Sequence, residues 1–242
     1  MFKLLRGEIY RLLHKKSAYI FFGALALGYF FIAFIRSGGF NEESVLSDAV
    51  NLFMFLPPVA GGFLFSAIHT DDLNSKNLTV LVGSGINKIK IVIAKLILTV
   101  LSGAVVFSLA PLYHCAVYAL LGQTATADIM KSVYIVSLRY FLLSTAFATV
   151  SGVAVYGLQR ATFAIVLYVL LAFNVVGGLL ASALRTFAPG LASYLASGIA
   201  DRIITGIMTD APIVRPVIEY IIYLSVMTAL SVIAFHKKEM EF

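Results

Sequence analysis

The sequence predicts an all-α membrane protein, a single transmembrane domain over residues 1–242 with six transmembrane helices. Composition is the first observation: 60% of residues are hydrophobic and 12% charged, whereas a soluble domain is near half apolar and about a quarter charged. The second is that the apolar residues come in unbroken runs, each near the roughly 20 residues that cross a hydrocarbon core of about 30 Å. The third is that basic residues concentrate in alternate connecting segments.

Residues 1–16 have helical period. Phe2, Leu5, Ile9, Leu12 and Leu13 share one face, with Lys3, Arg11, Lys15 and Lys16 largely off it. A basic amphipathic helix of this kind lies in the headgroup region. Cleavage as a signal is not expected, because no small-residue site follows the first apolar run. That run, 17–35, is the first span. Residues 40–48 are polar, with Glu42, Glu43 and Asp48.

The second span, 49–68, contains Pro57-Pro58. Each proline lacks a backbone donor, so a kink or break is expected there. Inside a bilayer such a break survives only where protein or a cavity satisfies the freed carbonyls. Residues 71–90 form a long polar connection. The third span, 91–122, is interrupted only by Lys95 and is longer than a crossing needs, which implies tilt or projection. Spans four and five cover 132–159 and 161–184. The segment 185–212 is apolar but too short to cross as one helix, and Pro189-Gly190 and Gly198 suggest an outer re-entrant hairpin. The sixth span is 213–235, carrying Glu219.

Charge sets the orientation. With the N-terminus inside, 12 of the 18 basic residues are cytoplasmic, 5 are outside and Arg139 is embedded. The inner side nets +7 and the outer side −1. This bias is the positive-inside pattern for an even number of spans, with both termini cytoplasmic. The formal charge of +6 therefore reports topology and calls for no nucleic-acid partner.

Catalytic signatures are absent from the sequence. No G-x-x-x-x-G-K-[ST] loop occurs, and Gly83-Ser84-Gly85 followed by Ile86-Asn87-Lys88 has the wrong spacing for a phosphate cradle. Nucleophile-elbow, metalloprotease and paired-carboxylate patterns are missing too, and no Cys/His pattern suggests a zinc site. No catalytic residue, resident cofactor or metal ligand is therefore assigned. Cys115, the only cysteine, reads as a packing residue.

The connection at 71–90 is the segment with most to say. Asp71 and Asp72 are placed to start a helix, where acids meet the positive end of its dipole. Leu78, Leu81 and Val82 form an apolar patch on the following turns, and Gly83 and Gly85 end them. Lys88 and Lys90 open the next helix. A short capped helix on the cytoplasmic side suits docking of a soluble partner, although most loops only connect.

These features together resemble the permease subunit of type-2 ABC transporters. The N-terminal Leu4-Leu5-Arg6-Gly7-Glu8-Ile9-Tyr10-Arg11-Leu12-Leu13 resembles the family's elbow helix. Asp72, the apolar Leu78, Leu81 and Val82, Asn87-Lys88 and Lys95 match the family's cytoplasmic loop, where Lys76-Asn77 stands in place of Gly-Thr. The segment 186–215 is similar to its outer re-entrant hairpin. The resemblance implies a coupling helix seated on a separate cytoplasmic ATPase, with Asp71, Asp72, Lys76, Leu78, Leu81 and Val82 as coupling residues. It also implies that ATP and magnesium are bound by that partner, that a second permease subunit completes a homodimer, and that the location is a bacterial plasma membrane. The small size is nearest to exporters of amphipathic peptides, the phenol-soluble-modulin type and lantibiotic immunity permeases. Lipid and drug permeases share the same pattern.

Arg139 and Glu219 are expected to lie at similar depth in the outer leaflet. They serve either as an ion pair or as part of a substrate path, because an unpaired charge in lipid costs several kcal/mol. Asn51, Asn174, His114 and Gln159 are weaker polar candidates. An intramembrane prenyl or phospho-alcohol transferase is the competing class, on Asp71-Asp72-Leu73-Asn74. It would need a second acidic cluster to hold magnesium and diphosphate, and the remaining cytoplasmic acids, Glu8, Glu239 and Glu241, sit at the chain ends.

Overall fold

A computed structural model describes residues 2–36, 42–75, 77–123 and 126–237. The described residues are 89% helical, with no strand among them. Helix α1 (Phe2–Leu13) is followed by α2 (Lys16–Arg36) and α3 (Glu42–Phe53). The chain then continues through a π-helical turn at Pro57–Gly61, α4 (Gly62–Phe65), a second π-helical turn at Ser66–Thr70 and α5 (Asp71–Asn74). Next come α6 (Asn77–Gly83), α7 (Lys88–Leu120), α8 (Ala127–Leu158), α9 (Ala161–Ala172) and α10 (Val175–Phe187). The chain ends with α11 (Pro189–Ala192), α12 (Ala196–Thr209) and α13 (Val214–Lys237).

Among the described residues, five stretches are long and apolar enough to cross a membrane: Lys16–Arg36, Val45–Leu73, Lys88–Leu120, Ala127–Leu158 and Val214–Lys237. The pair α9 and α10 passes the same test together but is bent by 60°, which brings the number to as many as six. The fifth span is thus broken rather than the straight helix expected over 161–184. The break falls at Asn174, which takes φ 58°. Asparagine tolerates this left-handed backbone better than β-branched or bulky residues do. A Cβ on Gly177 would stand 2.5 Å from Asn174 Oδ1, so the bend also needs a small residue there.

The second span is distorted without stopping. Met54 and Phe55 form a turn, and a π-helical turn follows with Pro57 and Pro58 at its start. The Pro57 carbonyl accepts from the Gly62 amide and also from the Tyr168 hydroxyl at 3.1 Å, which shares a 2.8 Å hydrogen bond with Ser144. A Cβ on Gly61 would collide with both hydroxyl oxygens, so α9, α8 and the bent span meet at a glycine.

Helix α8 is the hub, packing against α3, α7, α9, α12 and α13. Its most apolar window is 61% buried inside the chain, against 6% for α2 and 11% for α13. The last two therefore offer their apolar faces outward. Helix α7 has 33 residues, about 50 Å at 1.5 Å per residue, against a core of about 30 Å. Its N-terminus is capped by Asn87, whose side chain accepts from the Ile89 amide at 2.9 Å.

In place of one loop helix over 73–82 there are two short helices, α5 and α6. Gly85, at φ 82°, closes the turn after α6 in a conformation that suits glycine. Between α10 and α13 lie the single turn α11 and the 14-residue α12, which at about 21 Å is too short to cross.

Candidate functional site

The root of the connection between the second and third spans is a buried ionic cluster drawn from three elements. Glu8 and Arg11 sit one turn apart on α1, Asp72 is the second residue of α5, and Lys95 lies two turns into α7. Lys95 Nζ donates to Glu8 Oε2 at 2.8 Å, and Arg11 donates to the same oxygen at 2.8 Å. Arg11 also pairs with Asp72 Oδ1, and Lys95 faces Asp72 Oδ2 as an ion pair without hydrogen-bond geometry. Side-chain exposure is 2% for Lys95 and 1% for Asp72, so this is an interior charge group. Two acids and two bases cancel, which is the condition for keeping ions out of water. A more exposed pair, Lys15 with Asp71, extends the clamp to the start of α2.

A hydrogen-bond chain leads inward from this cluster. The Thr99 hydroxyl donates to the Lys95 carbonyl at 2.9 Å. Its oxygen is then the acceptor for His69 Nε2 at 3.0 Å, which leaves Nδ1 to accept from the Tyr156 hydroxyl at 3.4 Å. A cavity of about 20 Å³ beside these groups, bounded also by Thr149, Thr228 and Ser231, has room for about one water. The ionic root of the loop is thus linked to the interior of α8.

Helix α6 packs inward. Leu78 is 3% exposed, and Leu73, Leu81, Val82 and Ile86 lie half-buried against the main core. The apolar patch read from the sequence therefore faces this chain's own interior. Asn77, Val80, Gly83 and Ser84 form the exposed side, with Val80 67% exposed. Lys76, expected among the coupling residues, lies outside the described residues. After the loop, Lys88 donates to the Phe235 carbonyl at 2.8 Å and lies over the Phe235 ring, joining the start of α7 to the end of α13.

Of the two alternatives for Arg139 and Glu219, the ion pair between them is not formed. Arg139 donates to Asp201 at 2.7 Å, while Glu219 is held by Arg202 at 2.5 Å and by Arg215 at 3.0 Å. Helix α12 packs against both α8 and α13 and supplies Asp201 and Arg202 from adjacent positions. Similar depth along two helices did not bring the two side chains to one azimuth.

The weaker polar candidates have structural roles here. His114 is fully buried, its Nε2–H donating to the Val45 carbonyl at 2.9 Å, which leaves Nδ1 to accept from the Tyr29 hydroxyl. Gln159 is the left-handed C-cap of α8 at φ 53°, and Asn174 makes the α9–α10 bend. Asn51 is exposed on α3.

Sequence reasoning did not find the Glu8–Arg11–Asp72–Lys95 cluster, nor the buried Asp48, which binds Arg36 at 2.5 Å and Tyr118 at 2.6 Å. The available signal was Lys95 itself, a cation in an apolar helix that requires an acid at its own depth. No cluster of three or more His, Cys, Asp or Glu suited to a metal ion occurs among the described residues. No protein family, curated protein or solved structure matches this chain in the comparisons.

Proposed function

We propose that this chain is the membrane subunit of an ATP-driven exporter, powered by a separate cytoplasmic ATPase that seats on the α5–α6 connection. In this reading α1 is the interfacial elbow, six spans cross a bacterial plasma membrane with both termini inside, and α11–α12 form an outer re-entrant cover. Two such chains pair, and the cargo is an amphipathic peptide. The observation that carries the reading is the ionic root of the loop. Asp72 ties α5 to α1 through Arg11 and to the third span through Lys95. A force applied to α6 therefore reaches two membrane elements through buried ions rather than through a slack connection.

A partner can move such a system only by binding its two states differently. Asn77, Val80 and Ser84 offer the contact surface for the ATPase, while Leu78, Leu81 and Val82 transmit its movement into the core. The neutral, modest surface of α6 suits a seat that must rock and release.

The test is purification with a candidate P-loop ATPase, followed by reconstitution in liposomes. The reading expects co-purification and ATP turnover stimulated by the permease, further raised by an amphipathic peptide. An ATPase whose turnover is the same with and without this chain would contradict it.

A further inference from the structure

A cleft of about 700 Å³ separates α2 from α7 and the bent second span, with Tyr19, Phe22, Leu56, Leu98, Leu101 and Val105 on its walls. We propose that it holds one acyl chain of an anionic membrane lipid, with the headgroup at Lys16.

The walls exclude a polar occupant. Each polar group on them already has a partner in the protein. The Ser102 hydroxyl donates to the Leu98 carbonyl at 2.7 Å, the Tyr113 hydroxyl to the Ala26 carbonyl at 2.7 Å and the Tyr19 hydroxyl to the Leu13 carbonyl at 2.5 Å. Tyr29 is bonded to His114. Water in such a space would find only the spare lone pairs of these few hydroxyls to hold it.

The cleft has fixed ends. Near α1, Phe21 stacks on Phe63 at 4.2 Å, and Lys15 pairs with Asp71. At the far end, Tyr113 and Tyr29 strap α2 to α7. Between the straps α2 stands off, and a Cβ on Gly23 would meet nothing within 4 Å. From Ala18 to Tyr29 the α2 wall runs about 16 Å, about half of a 30 Å hydrocarbon core. That is the depth of one leaflet.

Backbone chemistry decides between occupants. A peptide helix of that length would bring unsatisfied N–H and C=O groups at its ends to walls whose hydroxyl donors are already taken. A single acyl chain has no backbone groups to satisfy. The mouth supplies the headgroup chemistry. Lys16 is exposed and stands two residues before the lining residue Ala18, and Lys3 and Arg6 are exposed on α1. A cation near an anionic membrane surface adds about 1 kcal/mol, or about fivefold in binding. The proposal needs α2 and α7 to span the membrane but does not depend on an ATPase.

The chain has no tryptophan, so Leu101→Trp makes a sole fluorophore on the cleft wall, and Ile222→Trp on the outward face of α13 is the reference. Each is purified in detergent and titrated with phosphatidylglycerol brominated on its acyl chains, and with phosphatidylcholine carrying the same chains. The cleft reporter should be quenched in a saturating step at a single lipid per chain, with phosphatidylglycerol favoured about fivefold. The reference should quench only in proportion to lipid added. Gly23→Phe should abolish the saturating step, the smaller Gly23→Leu should weaken it, and Lys16→Gln should remove the headgroup preference. Proportional quenching at both positions, or a saturating step unchanged by both Gly23 variants, overturns the proposal. A step that tracks dimer formation rather than lipid concentration also overturns it, in favour of a second copy of the chain.

Discussion

Lys95 and Asp72 face each other as an ion pair with side chains 2% and 1% exposed, joining the third span to the first residues after the second. Neither side chain is free to exchange its partner for water. Asp72 also holds Arg11, and Lys95 also holds Glu8, so one group of four charges fixes α1, α5 and α7 together. The mechanical claim of the account rests on this junction.

Removing one member of a buried group leaves an uncompensated charge, which costs about 3–5 kcal/mol. Lys95→Met and Asp72→Asn should each lower thermal stability in detergent by amounts of that order. The double variant should lose less than the sum, with a coupling energy of at least about 1 kcal/mol. Additive losses would show that the pair carries no interaction.

Gly61 and Tyr168 give a second coupled pair. Gly61→Ala brings a methyl group against the Tyr168 and Ser144 hydroxyls, an overpacking expected to cost about 1–3 kcal/mol. Tyr168→Phe removes one of two donors to the Pro57 carbonyl, which keeps the Gly62 amide, at about 0.5–1.5 kcal/mol. Because Phe also vacates the space that Ala needs, Gly61→Ala in the Tyr168→Phe background should cost clearly less than in the native chain. Melting curves of the four proteins check this.

On the other side of the bundle, coupling should follow the observed partners. Arg139 and Asp201 are 37% and 51% exposed, so a double-mutant cycle should give only about 0.2–1 kcal/mol. Arg202 with Glu219, at 34% and 16% exposure, should exceed it. The cycle between Arg139 and Glu219 should be flat. Coupling there above the noise would mean that α12 is not seated between α8 and α13.

Two substitutions on α6 separate contact from packing. Val80→Asp changes an exposed side chain and should leave melting within about 0.5 kcal/mol while abolishing stimulation of the partner ATPase in liposomes. Leu78→Ala empties a buried position and should cost about 2–5 kcal/mol. If Val80→Asp preserves full stimulation, the exposed face of α6 is not the seat.

What the sequence made legible follows from which physics is local. The long apolar helices and the stop at Gly83–Gly85 are set by neighbouring residues, and they appear close to where periodicity put them. The Pro57-Pro58 distortion was legible for the same reason. The bend at Asn174 was not, since one polar residue between Ala172 and Val175 leaves mean hydropathy nearly unchanged. Periodicity gave Leu78, Leu81 and Val82 a common face but carried no information on what that face meets. The Glu8–Lys95 contact joins residues 87 positions apart, and depth in the membrane restricts such partners without choosing among them. The same gap left the pairing of Arg139 and Glu219 open in the sequence and hid their actual partners, Asp201 and Arg202.

The central claim is that α5 and α6 stand on the cytoplasmic side as the handle for a motor, and side-specific labelling tests it most directly. Cys115 is the sole native cysteine, so a Cys115→Ala chain carrying Ser84→Cys presents one thiol at the exposed end of the loop. A membrane-impermeant maleimide should label it in inverted vesicles and leave it untouched in intact cells. Labelling in intact cells would place the loop outside and contradict the account.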